Sequence, residues 1–330
     1  TSSLTPSETQ ALFEIIRDLK KRNMGIIYIS HRLEELDAIA DRITVIRDGE
    51  FIKTLNARET NIDEIISLMV GRQVGHDQRP TPRKLSGNTV LKVENFSTKF
   101  LLKDVSFELK EGEILGFAGL MGSGRTELAR ALIGADPKTS GKVFLRGKEL
   151  NIHGPADAVD AGIGYLSEDR KRFGLLLIQD VTFNIALSSL KKFTNKFGFF
   201  KKSPAVVIAK EGIKTLGIKT PSERQLLKNL SGGNQQKVVI AKWLAKDCEV
   251  LIFDEPTRGI DVGAKDEIYK LLTKLASQGK SIIMISSELP EVLRMSDRIA
   301  VMCEGRLTGI IENKDADQNS IMQLATKFRD

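Results

Sequence analysis

Gly119-Leu120-Met121-Gly122-Ser123-Gly124-Arg125-Thr126 follows an apolar stretch directly. It fits the G-x-x-x-x-G-K-[ST] phosphate-loop pattern, with Arg125 in the lysine place. Glycines at such a turn let backbone N–H groups face phosphate oxygens, and a helix starting near Arg125 adds its positive end. Thr126 would offer a hydroxyl to Mg2+. Lysine is a compact point charge and arginine a larger fork, so Arg125 can neutralise phosphate without standing where lysine would. Taken alone, the run also reads as an ordinary glycine-rich strand–helix turn. Farther along, the apolar run Val250-Leu251-Ile252-Phe253 ends in Asp254-Glu255. A strand so ended would carry Asp254 to a metal and leave Glu255 to polarise a water. Before it lies Leu230-Ser231-Gly232-Gly233-Asn234-Gln235-Gln236-Lys237, whose Ser-Gly-Gly start of an amphipathic helix offers either a second anion-binding surface or a plain helix cap.

The elements that must position these residues are legible from periodicity. Val90–Glu94 and Val105–Leu109 alternate apolar and polar residues, the pattern of an exposed antiparallel sheet. Glu113–Ala118, Val250–Phe253 and Ser281–Ile285 are more continuously apolar, and helical patterns separate them. That arrangement predicts a parallel sheet with helical crossovers. Nearer the start, Glu8–Arg22 reads as a helix and Gly25–Ser30 as a buried strand.

An internal repeat organises the chain. At an offset of 256, 11 of the 24 positions from Ile26 to Gly49 are identical to their partners, with no gap. The period is domain-sized, which excludes a short solenoid repeat. Projected backward, residue 1 falls inside a unit whose full form appears later. The expectation is therefore the remnant of a first unit over 1–71, a polar linker over 72–88, and a whole second unit over 89–330. The chain opens on Thr1 rather than Met, which reads as a non-native start.

The 330 residues are 41% hydrophobic and 28% charged, a globular composition that excludes collagen-like or mostly disordered chains. No apolar run reaches the length of a membrane-spanning helix. The net charge of +7 admits a nucleic-acid, lipid or phosphate partner as well as a plain lysine-rich surface. Cys248 and Cys303 make no disulfide framework, and with three histidines they offer no metal-site spacing.

The three runs, in this order and spacing, resemble the ATP-binding-cassette (ABC) ATPases. The LSGGNQQK run (Leu230–Lys237) and the DEPTRGIDVGAK run (Asp254–Lys265) are similar to those of the ATPase subunits of bacterial monosaccharide importers, with a lean toward ribose-type members. The resemblance implies an α/β P-loop NTPase of ABC type: a parallel sheet core, an antiparallel β subdomain and a helical subdomain at about 170–240, preceded by a partial first domain. It implies ATP and Mg2+ as ligands. Gly119, Gly122, Ser123, Gly124, Arg125 and Thr126 would hold phosphates and Phe100 would stack on adenine, although Phe100 also reads as a strand-face core residue. Thr126, Asp254 and Glu168 would serve the metal, and Leu230, Ser231, Gly232, Gly233, Asn234 and Gln235 form the signature that faces a partner's nucleotide. Glu255 and His31 are the implied catalytic pair. Asp261 falls in the loop that touches the opposite site, and Ser287 takes the switch position that His31 holds in the first unit.

The second unit departs from the active pattern at Arg125, Glu168 and Ser287, which implies weak or absent hydrolysis there and little activity in the isolated chain. The implied partners are an integral membrane permease, a periplasmic sugar-binding protein acting indirectly, and a paired nucleotide-binding domain, with no nucleic acid. The implied place is the cytoplasmic face of the bacterial inner membrane, held peripherally. A soluble ABC ATPase of translation or DNA repair, and a nucleotide sensor without turnover, are the rival readings.

Overall fold

The computed structural model describes residues 6–29, 33–47, 50–61, 64–65, 68, 85–260 and 262–328. The chain divides into two compact units, one of residues 1–78 with 259–267 and the other of 79–258 with 268–330.

In the first unit, helix α1 (Pro6–Lys21) has Glu8 in its first turn and Lys20 and Lys21 in its last, complementing the helix dipole. Helix α2 (Leu33–Ile39) precedes the antiparallel hairpin of β1 (Arg42–Arg47) and β2 (Glu50–Asn56). Ile43, Val45, Leu55, Ala57 and Ile65 form its small core. The expected strand at Gly25–Ser30 is not formed over its described residues 25–29. They carry no regular structure, and Ile27 and Ile29 are more than nine-tenths exposed. An apolar strand is stable only when neighbours take its backbone hydrogen bonds and cover its faces, and among the described residues of this unit β1 and β2 pair only with each other.

The second unit opens with β3 (Thr89–Thr98), β4 (Val105–Lys110) and β5 (Ile114–Gly119), then α3 (Arg125–Leu132), β6 (Lys138–Leu145), β7 (Lys148–Leu150), α4 (Pro155–Ala161) and β8 (Ile163–Leu166). Helices α5 (Val181–Ala186), α6 (Lys202–Leu216) and α7 (Gly232–Lys246), joined through short 3-10 turns, make the helical part. Then follow β9 (Val250–Asp254), α8 (Val262–Ser277, of which 268–277 belong to this unit), β10 (Ser281–Ile285), α9 (Leu289–Met295), β11 (Arg298–Cys303), β12 (Arg306–Glu312) and α10 (Gln318–Ala325).

One sheet has the order β12-β11-β5-β10-β9-β8, parallel except for the β12 edge. Its central strands are buried on both faces, which explains their unbroken apolar runs. On one face Phe117, Ile252, Ile283 and Ile285 share a core with Leu128 and Leu132 of α3 and Phe107 of β4. On the other, Ala118, Ile299 and Val301 pack with Val292 of α9 and Ile321 of α10. A separate antiparallel sheet, β4-β3-β6-β7, alternates buried and exposed residues along β4 as the sequence predicts.

The repeat holds at the level of elements. α2 and α9 coincide at the offset of 256, as do β1 with β11 and β2 with β12. Even the bulge recurs: the register shifts between Val45 and Ile46 in one hairpin and between Val301 and Met302 in the other.

Candidate nucleotide site

Strands β5 and β9 both flank β10 and run parallel to it, so their C-terminal ends lie along one edge. That edge is where parallel sheets place ligands. Gly119 closes β5, and the turn after it carries positive φ at Gly119, Gly122 and Gly124. A Cβ on Gly119 would lie 2.4 Å from the Met302 carbonyl oxygen and 2.7 Å from Ser123 Oγ, so only glycine fits there. α3 starts at Arg125 with no side chain capping its first amides. Ser123 Oγ is buried and has no hydrogen-bond partner among the described residues. A buried hydroxyl left without a partner fits a loop built to receive acceptor oxygens.

From α3, Thr126 Oγ1 donates to Asp254 Oδ1 at 3.1 Å, and from β8, Tyr165 Oη donates to Asp254 Oδ2 at 2.9 Å. Asp254 is buried, and burial raises its carboxyl pKa against the lowering effect of those two donors. The hydroxyl and carboxylate are hard oxygen donors that suit Mg2+. No cluster of three or more His, Cys, Asp or Glu among the described residues could hold a metal, so such an ion would draw its other ligands from phosphate and water.

Glu255 adopts a left-handed backbone conformation, φ 50°, with its N–H bonded to the Ile285 carbonyl. Its side chain accepts from Ser287 Oγ at 3.1 Å, and burial pushes its pKa up to about 7. Arg125 Nη1 donates to the Ser286 carbonyl at 2.6 Å, at the end of β10. Burial lowers its pKa while Glu255 and Asp254 oppose the shift. Behind them, buried Glu291 of α9 accepts from Thr257 Oγ1 at 2.9 Å and from Ser286 Oγ.

Glu168 does not join Thr126 and Asp254; its carboxylate pairs with Arg258, in the loop after Glu255. The acidic loop and its arginine neighbour were both visible in the sequence, but their pairing was not. Phe100 is 87% exposed, so its core reading fails. Ser231 is exposed at the N-cap of α7, and its Oγ accepts from Asn234 Nδ2 at 2.9 Å. Leu230 and Gln235 point inward; Gln235 Nε2 bonds the Leu227 and Leu230 carbonyls at 3.0 and 3.2 Å and braces the turn that presents Ser231 and Gly232. Gly233 is buried within the first turn of α7. His31 and Asp261 lie outside the described residues. Tyr165, Ser286 and Glu291, and the pairing of Arg258, are what sequence reasoning missed.

Residues 102–258 match the family model described as ABC transporter. Over those residues the chain is similar to that family. The cassette's fold recurs in solved ATP-binding cassettes: one from an ABC transporter aligns with a TM-score of 0.62 at 20% identity, covering 72% of this chain and 98% of that one. CbiO1 of Clostridium perfringens, part of an ABC transporter complex, aligns with a TM-score of 0.60 at 23% identity, covering 73% and 96%. In sequence, the chain is 56% identical over 99% of its length to a putative ribose/galactose/methyl galactoside import ATP-binding protein of Burkholderia cenocepacia. It is 49% identical, again over 99% of its length, to a ribose import ATP-binding protein of Clostridium tetani. The chain spans 64% and 65% of the lengths of those two relatives.

Proposed function

We propose that the chain is the ATP-binding part of an ABC importer that couples ATP hydrolysis to the uptake of a monosaccharide of the ribose or galactose type. The observation that carries this reading is the bond between Thr126 and Asp254, which joins the glycine loop to the acidic strand end, while Ser231 stays exposed at a helix start. Identity to import ATP-binding proteins over nearly the whole chain supports it. The loop amides and Ser123 would receive the phosphates, and Phe100 would lie under the adenine. Mg2+, held by Thr126 and Asp254, would neutralise phosphate charge. Glu255 would take a proton from the attacking water. Ser231–Asn234 would face the nucleotide of a paired domain. His31 and Asp261 would complete the first unit's site and the loop between sites.

This half-site favours binding over turnover. Arg125 is held by a backbone carbonyl, Glu168 by Arg258, and Ser287, where the repeat has His31, bonds Glu255. The partners would be an integral permease, a periplasmic sugar-binding protein acting through it, and a second nucleotide-binding domain. The place of work would be the cytoplasmic face of the inner membrane. Among the described residues no helix is long and apolar enough to cross a bilayer. The permease would meet the Glu168 loop and residues 173–190, where Phe173 and Ile178 are exposed.

Calorimetric titration with Mg-ATP, followed by capture of a co-expressed sugar permease, tests the reading. Weak binding that Asp254→Asn removes, together with permease capture, is the expected result. No nucleotide binding at all, or binding of RNA in place of a permease, would refute it.

A further inference from the structure

Residues 191–202 read Lys-Lys-Phe-Thr-Asn-Lys-Phe-Gly-Phe-Phe-Lys-Lys: five lysines, four phenylalanines and no acid. The phenylalanines divide into two pairs. Phe193 is buried, and Phe200 packs beside it and against Phe183, with ring centroids 6.5 and 5.5 Å away. Phe197 and Phe199 are 85% and 70% exposed.

That exposure is built into the loop. Asn195 Oδ1 accepts from the N–H groups of both Phe197 and Phe199 at 2.9 Å. The Asn195 N–H donates to the Phe199 carbonyl and the Gly198 N–H to the Asn195 carbonyl, each at 3.0 Å. Gly198 takes φ 82°, which lets the tip close. Below it, Thr194 and Phe200 bridge, and the Lys201 N–H bonds the Phe193 carbonyl. The tip is a pre-formed turn, anchored by two rings and holding two others in solvent. Lys191 pairs with Asp160 at 3.1 Å. Lys192, Lys196, Lys201 and Lys202 are exposed, and no ion pair among the described residues engages them.

Large rings kept in water beside unpaired lysines match the chemistry of one surface, the anionic bilayer interface. There, aromatic rings settle at the headgroup–acyl boundary while lysine stems let ammonium groups reach lipid phosphates. A protein partner fits less well, because lysine is depleted from interface cores. Single-stranded nucleic acid needs a basic groove that tracks its backbone, and this is a turn tip. We infer that the 194–200 tip is a membrane-contact element: Phe197 and Phe199 enter the headgroup region of an anionic bilayer while Lys192, Lys196, Lys201 and Lys202 meet its phosphates. The inference goes beyond the importer reading and does not depend on it.

The whole chain is sedimented with vesicles of phosphatidylcholine, alone or with about one third phosphatidylglycerol. Binding is expected to the anionic vesicles alone. Phe197→Ser combined with Phe199→Ser lowers the partition coefficient roughly tenfold or more, with an unchanged circular dichroism spectrum, since neither ring belongs to the core. Lys196→Gln, Lys201→Gln and Lys202→Gln together weaken binding and flatten its salt dependence. Phe197→Trp reports insertion: its emission shifts to the blue on anionic vesicles, against buried Trp243, the one native tryptophan. The inference is overturned if the phenylalanine variant binds as well as the parent, if the Phe197→Trp emission stays fixed, or if an oligonucleotide and not vesicles engages the tip. Mg-ATP titration and permease capture judge the importer reading separately, so the two can fail independently.

Discussion

Arg125 Nη1 sits 2.6 Å from the Ser286 carbonyl oxygen, so the cation in the phosphate loop is committed to the protein's own backbone. To reach a phosphate, the guanidinium must leave that bond. A lysine at this place has a single compact charge and no fork to satisfy. Arg125→Lys should therefore tighten Mg-ATP binding several-fold, about 1 kcal/mol, as read by titration with a fluorescent ATP analogue. Weaker binding in the variant would mean that Arg125 swings to the nucleotide and serves it directly. The glycine loop, Asp254 and the Ser231 signature were legible in the sequence because each is a run of unusual residues. Tyr165 was not. It lies in a short strand with nothing to mark it, and only the pairing of β8 with β9, Tyr165 opposite Ile252 and Leu166 opposite Phe253, brings its hydroxyl to Asp254. Glu168 was legible as a departure from pattern, yet its partner Arg258 comes from a loop about 90 residues away, a contact no local spacing encodes.

Elements were legible where burial imposes a period. β5, β9 and β10 are apolar throughout because helices cover both faces, and β4 alternates because one side of its sheet is open. β6 and β7 carry mostly exposed polar residues and offered no such period. Gly25–Ile29 misled for the converse reason: composition announces a strand, but pairing makes one, and among the described residues of that unit β1 and β2 pair only with each other. Helix α7 shows another limit. Its interior position Lys242 is buried, and among the described residues its ammonium bonds only the Gly174 carbonyl at 2.9 Å and faces the Trp243 ring. With no carboxylate beside it among the described residues, burial lowers its pKa to about 8. The unfolded chain keeps it near 10.4. Between those values the unfolded state binds more protons, so stability rises with pH, by up to about 3 kcal/mol from this group. Below pH 8 both states are charged and the folded one bears the whole desolvation penalty. Urea unfolding at about pH 7 and about pH 9.5 should show this rise in the parent and lose it in Lys242→Met. An equal rise in both would show that the lysine keeps its ordinary pKa in the folded chain, its ammonium reached by solvent.

At the scale of the molecule, the cassette presents two half-sites that one copy has no evident use for. The loop from Gly119 to Thr126 has uncapped amides and a buried hydroxyl without a partner among the described residues, which would suit phosphate. Ser231 caps α7 without bonding its first amides, which leaves that positive helix end facing solvent. A nucleotide seated in the loop of one copy still exposes phosphate charge, and the helix start of a second copy is suited to meet it. A head-to-tail exchange would make both contacts twice, once in each direction, so such an assembly would close as a dimer. Mg-ATP should then drive association, and sedimentation velocity on the Glu255→Gln chain should show a nucleotide-dependent shift from monomer toward dimer. Ser231→Glu places a carboxylate against the incoming phosphate. It should abolish the shift while leaving the Mg-ATP dissociation constant within about twofold, because the loop that binds first is untouched. If Ser231→Glu dimerises like the parent, the helix start is not the partner surface; if it loses nucleotide binding altogether, the two half-sites lie within one copy, and the paired arrangement is wrong for this chain.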